Sequence, residues 1–159
     1  MTLKIGIFGG TFNPPHVGHL RLAEEVAPAH GLQKIVFMPC YIPPHKRSRD
    51  IASPDERLEM TRLACEGNEV FDVSDREIRV GGPSYTVMTL ETYHGSPERE
   101  CFFIMGTDSL REIHTWWEYE RLFTLAHFIV VTRPGLDFVT AWEHVPKNLR
   151  SRFEKKIGD

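Results

Sequence analysis

The sequence predicts a doubly wound α/β domain, a parallel sheet covered by helices on both faces and folded as a single unit. Two observations carry that expectation. Apolar runs short and β-branched enough to be buried strands recur along the chain, and stretches of helical periodicity fall between them. Strand and helix signals that alternate in this way imply right-handed crossovers and a parallel sheet.

Taken in order, Leu3 to Phe8 reads as the first strand, and Val17 to about His30 as a helix carried by Leu20, Leu22, Ala23 and Val26, with Gly31 as its stop. Between them Pro15 suits a first helical position and pushes Pro14 outside the helix. Lys34 to Pro39 is the second strand, and a proline-bearing loop from Tyr41 to Asp50 follows it. Ser53 is a capping residue, Pro54 opens a helix with acids Asp55 and Glu56 in its first turn, and that helix runs to about Glu66. Glu69 to Val73 is a strand, and Ser74 to Val80 a further short extended piece. After Gly81-Gly82-Pro83, Ser84 caps a short helix from Tyr85 to Tyr93. Cys101 to Met105 is the next buried strand; Leu110 to Ile113 and Glu118 to Leu125 look helical around Trp116-Trp117, and Phe128 to Thr132 is the last strand. The sheet is thus Rossmann-like, with no repeat, low-complexity tract or linker dividing residues 1–159, and its ligands are expected at the carboxyl ends of the strands.

Composition narrows the chemistry. At 159 residues and 41% hydrophobic content the chain suits one domain with a real core. A formal charge of −3 gives no general attraction for nucleic acid or an anionic membrane, so phosphate would have to be bound by local cations. Cys40, Cys65 and Cys101 are odd in number, widely spaced and without C-x-x-C, which fits buried thiols in a reducing compartment. The first strand begins almost at the N-terminus and no apolar run approaches membrane length, so a cytoplasmic protein is expected, with a homo-oligomer left open.

The stretch Gly9-Gly10-Thr11-Phe12-Asn13-Pro14-Pro15-His16-Val17-Gly18-His19 holds the densest chemistry. Gly9 and Gly10 would let the backbone turn sharply after the strand and bring amides against a phosphate. His16 and His19, three apart at a helix start, share one face, where the helix dipole and two imidazoles favour an anion. The same pair at helical spacing is also half of a zinc site, an alternative left open because no partnered third ligand is legible. Other candidates sit after later strands: Lys46 in Pro44-His45-Lys46-Arg47, Ser84, Tyr85 and Thr86 at a helix start, Gly106 and Asp108 in Gly106-Thr107-Asp108, the Trp116-Trp117 pair, and Arg133. Each has a plainer reading as basic loop, cap, core aromatic or surface charge.

Residues 9–19 resemble the first strand–helix turn of the nucleotidylyltransferase superfamily, whose members carry H-x-G-H there. The fuller string, with P-S-Y-T, G-T-D-S-L and T-W-W-E-Y, is similar to the bacterial nicotinate mononucleotide adenylyltransferases. The resemblance covers Ile5 to Gly135. It implies transfer of an adenylyl group from ATP, with Mg2+, to nicotinate mononucleotide, giving nicotinate adenine dinucleotide and pyrophosphate. It also implies a site: His16, His19, Lys46 and Arg133 as catalytic residues around the phosphates, and Phe8, Gly9, Gly10 and Thr11 against substrate. Gly106 and Asp108 would face the adenosine side, Ser84, Tyr85 and Thr86 the nicotinate carboxylate through main-chain amides. Trp116 would lie flat on the pyridine ring, with the Trp117 amide beside it. Another phosphate acceptor such as phosphopantetheine, or a nucleotide-binding regulator without turnover, are the competing expectations. Family members usually continue into a Ser-Ser-Thr-x-x-Arg segment that binds triphosphate, and this sequence stops at Gly158-Asp159 without it. On that ground the residues after Phe138 are expected to be loosely ordered.

Overall fold

The computed structural model describes residues 2–43, 50–132, 139, 142, 143 and 145–151. Five parallel strands, β1 (Leu3–Gly10), β2 (Lys34–Pro39), β3 (Phe71–Val73), β4 (Arg99–Gly106) and β5 (His127–Val131), form one sheet in the order β3-β2-β1-β4-β5. The chain winds outward from β1 to β3, then returns to lay β4 on the other side of β1. The carboxyl ends of β1 and β4 are therefore where the winding direction reverses, the place at which open α/β sheets form a ligand crevice.

Both faces of the sheet are buried, which is why its strands read as continuous apolar runs. On one face Ile5, Ile7, Val36, Met38, Phe103 and Met105 pack with Val87, Leu90, Leu110, Ile113 and Leu122; on the other Phe8, Ile35, Phe37 and Ile104 pack with Phe12, Ala23, Val26 and Phe71. Side chains such as Ile7, Ile35 and Phe37 are wholly excluded from solvent, each contributing about 1.5–3 kcal/mol of transfer free energy.

Helix α1 (Val17–His30) ends as expected: Gly31 takes a left-handed φ of 65°, and the amides of Gly31 and Leu32 return to the carbonyls of Pro28 and Ala27. Helix α2 (Pro54–Cys65) opens on a reciprocal cap in which Ser53 Oγ accepts from the Glu56 amide at 3.3 Å and the Ser53 amide donates to Glu56 Oε2 at 2.8 Å. The Ser53 hydroxyl also donates to Glu56 Oε2 at 2.8 Å, and that bond, with the one from the Ser53 amide, holds the Glu56 carboxyl below its ordinary pKa. All three cysteines are free and buried, and burial pushes Cys65 up to about 11 and Cys101 up to about 12.

Several expectations need correction. Residues 74–80 are not extended: Arg76–Val80 form helix α3, in which Arg79 Nε meets Asp75 Oδ1 at 2.8 Å across one turn. β3 starts at Phe71 because the Val70 amide is taken by Asn68 Oδ1. Pro15 is outside α1, whose cap is His16 in an extended conformation (φ −139°, ψ 169°). Helix α4 (Thr86–Glu91) is capped by Tyr85 rather than Ser84, whose hydroxyl is engaged elsewhere. Helix α5 (Thr107–Glu112) starts directly at the end of β4 and gives way to a 3-10 turn at Ile113–Thr115 before helix α6 (Tyr119–Leu125). The tryptophan pair lies between those last two elements, not in a helix: Trp116 is extended at ψ 142° and Glu118 turns the chain at φ 51°. After Phe138, the described residues Val145 and Leu149, the latter in a short helix Lys147–Arg150, are buried in the core.

Candidate functional site

The site is built at the carboxyl end of β1. Gly9 and Gly10 do not turn the chain. They continue the strand, in register with Met38 and Pro39 of β2, and the reversal comes at Phe12 (φ 47°) and the cis Asn13–Pro14 bond. Gly10 is small for another reason: a Cβ there would stand 3.0 Å from the Phe12 ring, which folds back across the strand end. Phe12 then packs edge-on to Phe8 and to His19 at ring separations of 5.6 and 5.2 Å. Phe8 is buried, so only its backbone could meet a ligand.

His16 and His19 come together at the start of α1. Their ring centroids lie 3.8 Å apart with the planes tilted by 32°, and the His16 amide donates to His19 Nδ1 at 3.2 Å. That bond makes Nδ1 an acceptor, so the neutral His19 ring carries its proton on Nε2. Gly18 is the residue that permits the stack. A Cβ at 18 would stand 3.0 Å from both Cε1 and Nδ1 of His16. The spacing H-x-G-H is thus a packing statement: the glycine clears the ring that caps the helix. Among the described residues no group of three or more His, Cys, Asp or Glu side chains is placed to hold a metal ion.

Two side chains tie this turn to the loop after β2, and sequence reasoning missed both. Asn13 Oδ1 accepts from the Ala52 amide at 3.0 Å while its Nδ2 donates to the Asp50 carbonyl at 3.2 Å. Arg57 is 1% exposed, yet among the described residues its guanidinium donates only to main-chain carbonyls and to sulfur: Thr11 O at 2.8 Å, Tyr41 O at 2.9 Å, Ala52 O at 3.1 Å, and Cys40 Sγ at 4.0 Å. The arginine was legible only as one more charge on an amphipathic helix, because its value lies in a turn 46 residues away.

The Pro83-Ser84-Tyr85-Thr86 turn joins the same neighbourhood. Ser84 Oγ accepts from the Tyr41 amide at 2.9 Å, and Ile42 and Pro83 form a parallel bridge. Behind it Glu77, half-buried, accepts from Thr89 Oγ1. Desolvation outweighs that bond and raises the Glu77 pKa. Tyr85 meets Trp117 edge-on at 4.9 Å, and both are exposed, whereas Trp116 turns inward with its ring edge-on to Phe103 at 6.1 Å. One tryptophan faces the core and one faces out, and the outward one is Trp117 rather than Trp116.

At the end of β4, Gly106 caps α5 and Asp108 sits exposed in its first turn. The residue between them was passed over: Thr107 is wholly buried, and its Oγ1 has no hydrogen-bond partner among the described residues. Lys46 and Arg133 lie outside the described residues.

Comparison with known proteins identifies the family and the fold. The cytidylyltransferase-like family matches residues 7–153. A protein of Desulfatibacillum aliphaticivorans named "Probable nicotinate-nucleotide adenylyltransferase" is 52% identical over 148 residues, 93% of this chain and 68% of its own. One of the same name from Desulfitobacterium hafniense is 47% identical over 135 residues, 84% and 65% of the two chains. The chain therefore spans about two thirds of the length of the curated relatives it matches. Among solved structures, Plasmodium falciparum nicotinic acid mononucleotide adenylyltransferase complexed with NaAD superposes with a TM-score of 0.73 at 20% identity, covering 91% of this chain and 72% of that one. At that identity the likeness speaks for the fold.

Proposed function

The chain belongs to the cytidylyltransferase-like family of nucleotidyltransferases, and from that premise we propose that it transfers the adenylyl group of ATP to nicotinate mononucleotide, a step of NAD biosynthesis that yields nicotinate adenine dinucleotide and pyrophosphate. The observation that carries the reading is the stacked His16–His19 pair at the start of α1, set where the sheet reverses its winding.

The acceptor already bears a phosphate nucleophile. One of its oxygens bonds to the α-phosphorus of ATP while the bond from that phosphorus to the β-phosphate's bridging oxygen breaks, and pyrophosphate leaves with the electron pair. No side chain has to be activated, so the protein's part is positioning and charge stabilisation. His19, its tautomer fixed by the bond at Nδ1, presents an Nε2 proton to a phosphate oxygen, and His16 does the same from the cap. The amides at the helix start add their partial positive charge. Lys46 and Arg133 complete the cationic surroundings. Main-chain amides near Thr86 and Trp117, with Ser84 and Tyr85 framing the turn, recognise the nicotinate carboxylate, an indole stacks on the ring, and Gly106 and Asp108 hold the adenosine side. Gly9, Gly10 and Thr11 pass the phosphates along the strand end.

Mg2+ would arrive with the triphosphate: the imidazoles and amides here would pair with phosphate oxygens, and among the described residues no group of three or more His, Cys, Asp or Glu side chains is placed to hold the ion by itself. When bound, it neutralises triphosphate charge. Pyrophosphate release is measured with ATP, Mg2+ and each of nicotinate mononucleotide, nicotinamide mononucleotide and phosphopantetheine. Fastest release with the first supports the proposal. Preference for phosphopantetheine reassigns the acceptor, and binding without release with any of them makes the chain a nucleotide sensor.

A further inference from the structure

We infer that Arg57 is a positioning residue for the phosphate site, holding the turn after β1 and both flanks of the loop after β2 at a fixed separation. The inference rests on the proposed reaction for its kinetic readout. The guanidinium reaches three carbonyls on two separate stretches of chain: Thr11, which lies in the turn that carries His16, and Tyr41 and Ala52, which stand before and after the loop between β2 and α2. A planar fork with five donors can meet three carbonyls in fixed directions, which a lysine cannot do. Asn13 makes the matching link from the other side, bonding Asp50 and Ala52 of the same loop.

The geometry is uneconomical for a merely structural role. A fully buried cation is expensive unless paired, and among the described residues Arg57 makes no ion pair. Carbonyl dipoles meet its hydrogen-bonding demand, but among the described residues no carboxylate pairs with its net charge. A polyanion held on the Thr11 side would supply that charge, and the cation would in turn favour the polyanion through a water-poor medium. The same group thus fixes the two walls and biases the space between them toward phosphate.

The test compares Arg57→Lys, which keeps charge without the fork, and Arg57→Gln, which keeps neither, with wild type at a temperature where circular dichroism shows each folded. Calorimetry with inorganic pyrophosphate supplies a measure independent of the acceptor. Arg57→Gln is expected to weaken pyrophosphate binding by roughly tenfold or more and to lower kcat per folded molecule by about a hundredfold, a loss on the scale of one misplaced catalytic donor. Arg57→Lys is expected to recover most of the pyrophosphate affinity and little of kcat. Lower melting temperatures with unchanged pyrophosphate affinity and unchanged kcat in both variants would overturn the inference. Should Arg57→Gln not fold, Arg57→Lys decides alone, since wild-type kcat in it removes the need for the fork. A wild-type protein that binds pyrophosphate but turns over no nucleotide refutes the proposed reaction, and the calorimetric contrast still judges Arg57.

Discussion

Replacing Gly18 with alanine separates what the helix wants from what the site wants. Gly18 is the second residue of α1, and alanine in a helix is favoured over glycine by up to about 1 kcal/mol. Against that gain, the new Cβ would stand 3.0 Å from two atoms of the His16 ring, tighter than most side-chain contacts, so the ring must give way. His16 is exposed and can swing out, at about 0.5–1.5 kcal/mol if it must leave its rotamer. The terms nearly cancel, so Gly18→Ala should stay within about 1 kcal/mol of wild type, or roughly 4 °C in Tm for a domain of this size. Activity should not cancel. Losing one preorganised donor lowers turnover by about 100- to 1,000-fold, and because a displaced ring still samples its old place, about 10- to 100-fold is expected. His19 keeps its own anchor, since the bond to its Nδ1 comes from a backbone amide. Steady-state pyrophosphate release would be measured beside thermal melts for Gly18→Ala, His16→Ala and the double variant. If the glycine acts through His16, the double variant is no slower than His16→Ala alone. Additive losses, or full activity in Gly18→Ala, would refute the reasoning.

Three further outcomes are expected. His19→Ala should lower turnover by about a hundredfold or more with the melting curve little changed, and stoichiometric zinc released by that substitution would instead favour the metal reading. Trp116→Ala and Trp117→Ala, assayed for the KM of nicotinate mononucleotide, decide which indole stacks: about 1–3 kcal/mol of stacking should appear as a rise of about fivefold or more in one of them, and no rise in either would remove the aromatic from the pocket. Glu77 has a folded pKa raised by burial, so its ionised form is penalised in the native state and stability should grow as pH falls from above its folded value toward about 4.5. Glu77→Gln should flatten the urea-derived stability profile across that window, and an unchanged profile would contradict the assignment.

The element order was legible because each signal is local. Ser53-Pro54-Asp55-Glu56 is a helix start in any context, Gly31 stops a helix for want of a Cβ, and runs such as Ile35-Val36-Phe37-Met38 can satisfy both sheet faces only when buried on each. The histidine pair was legible for the same reason, as residues three apart meet whatever surrounds them. Where local cues were weak, tertiary structure decided. Residues 76–80 became helix through an Arg79–Asp75 contact, and the tryptophans left the helix at a turn that Glu118 makes. Strand order, and with it the place where β1 and β4 part, depends on which hydrophobic faces cover one another and not on any short string. Arg57 is the clearest case. Its neighbours in sequence mark it as one polar residue of a helix; the Ala52 carbonyl is local, while Thr11 and Tyr41 come from turns that only the folded sheet brings within reach. Hydrogen-bond geometry at that distance is a property of packing, and sequence periodicity carries no trace of it.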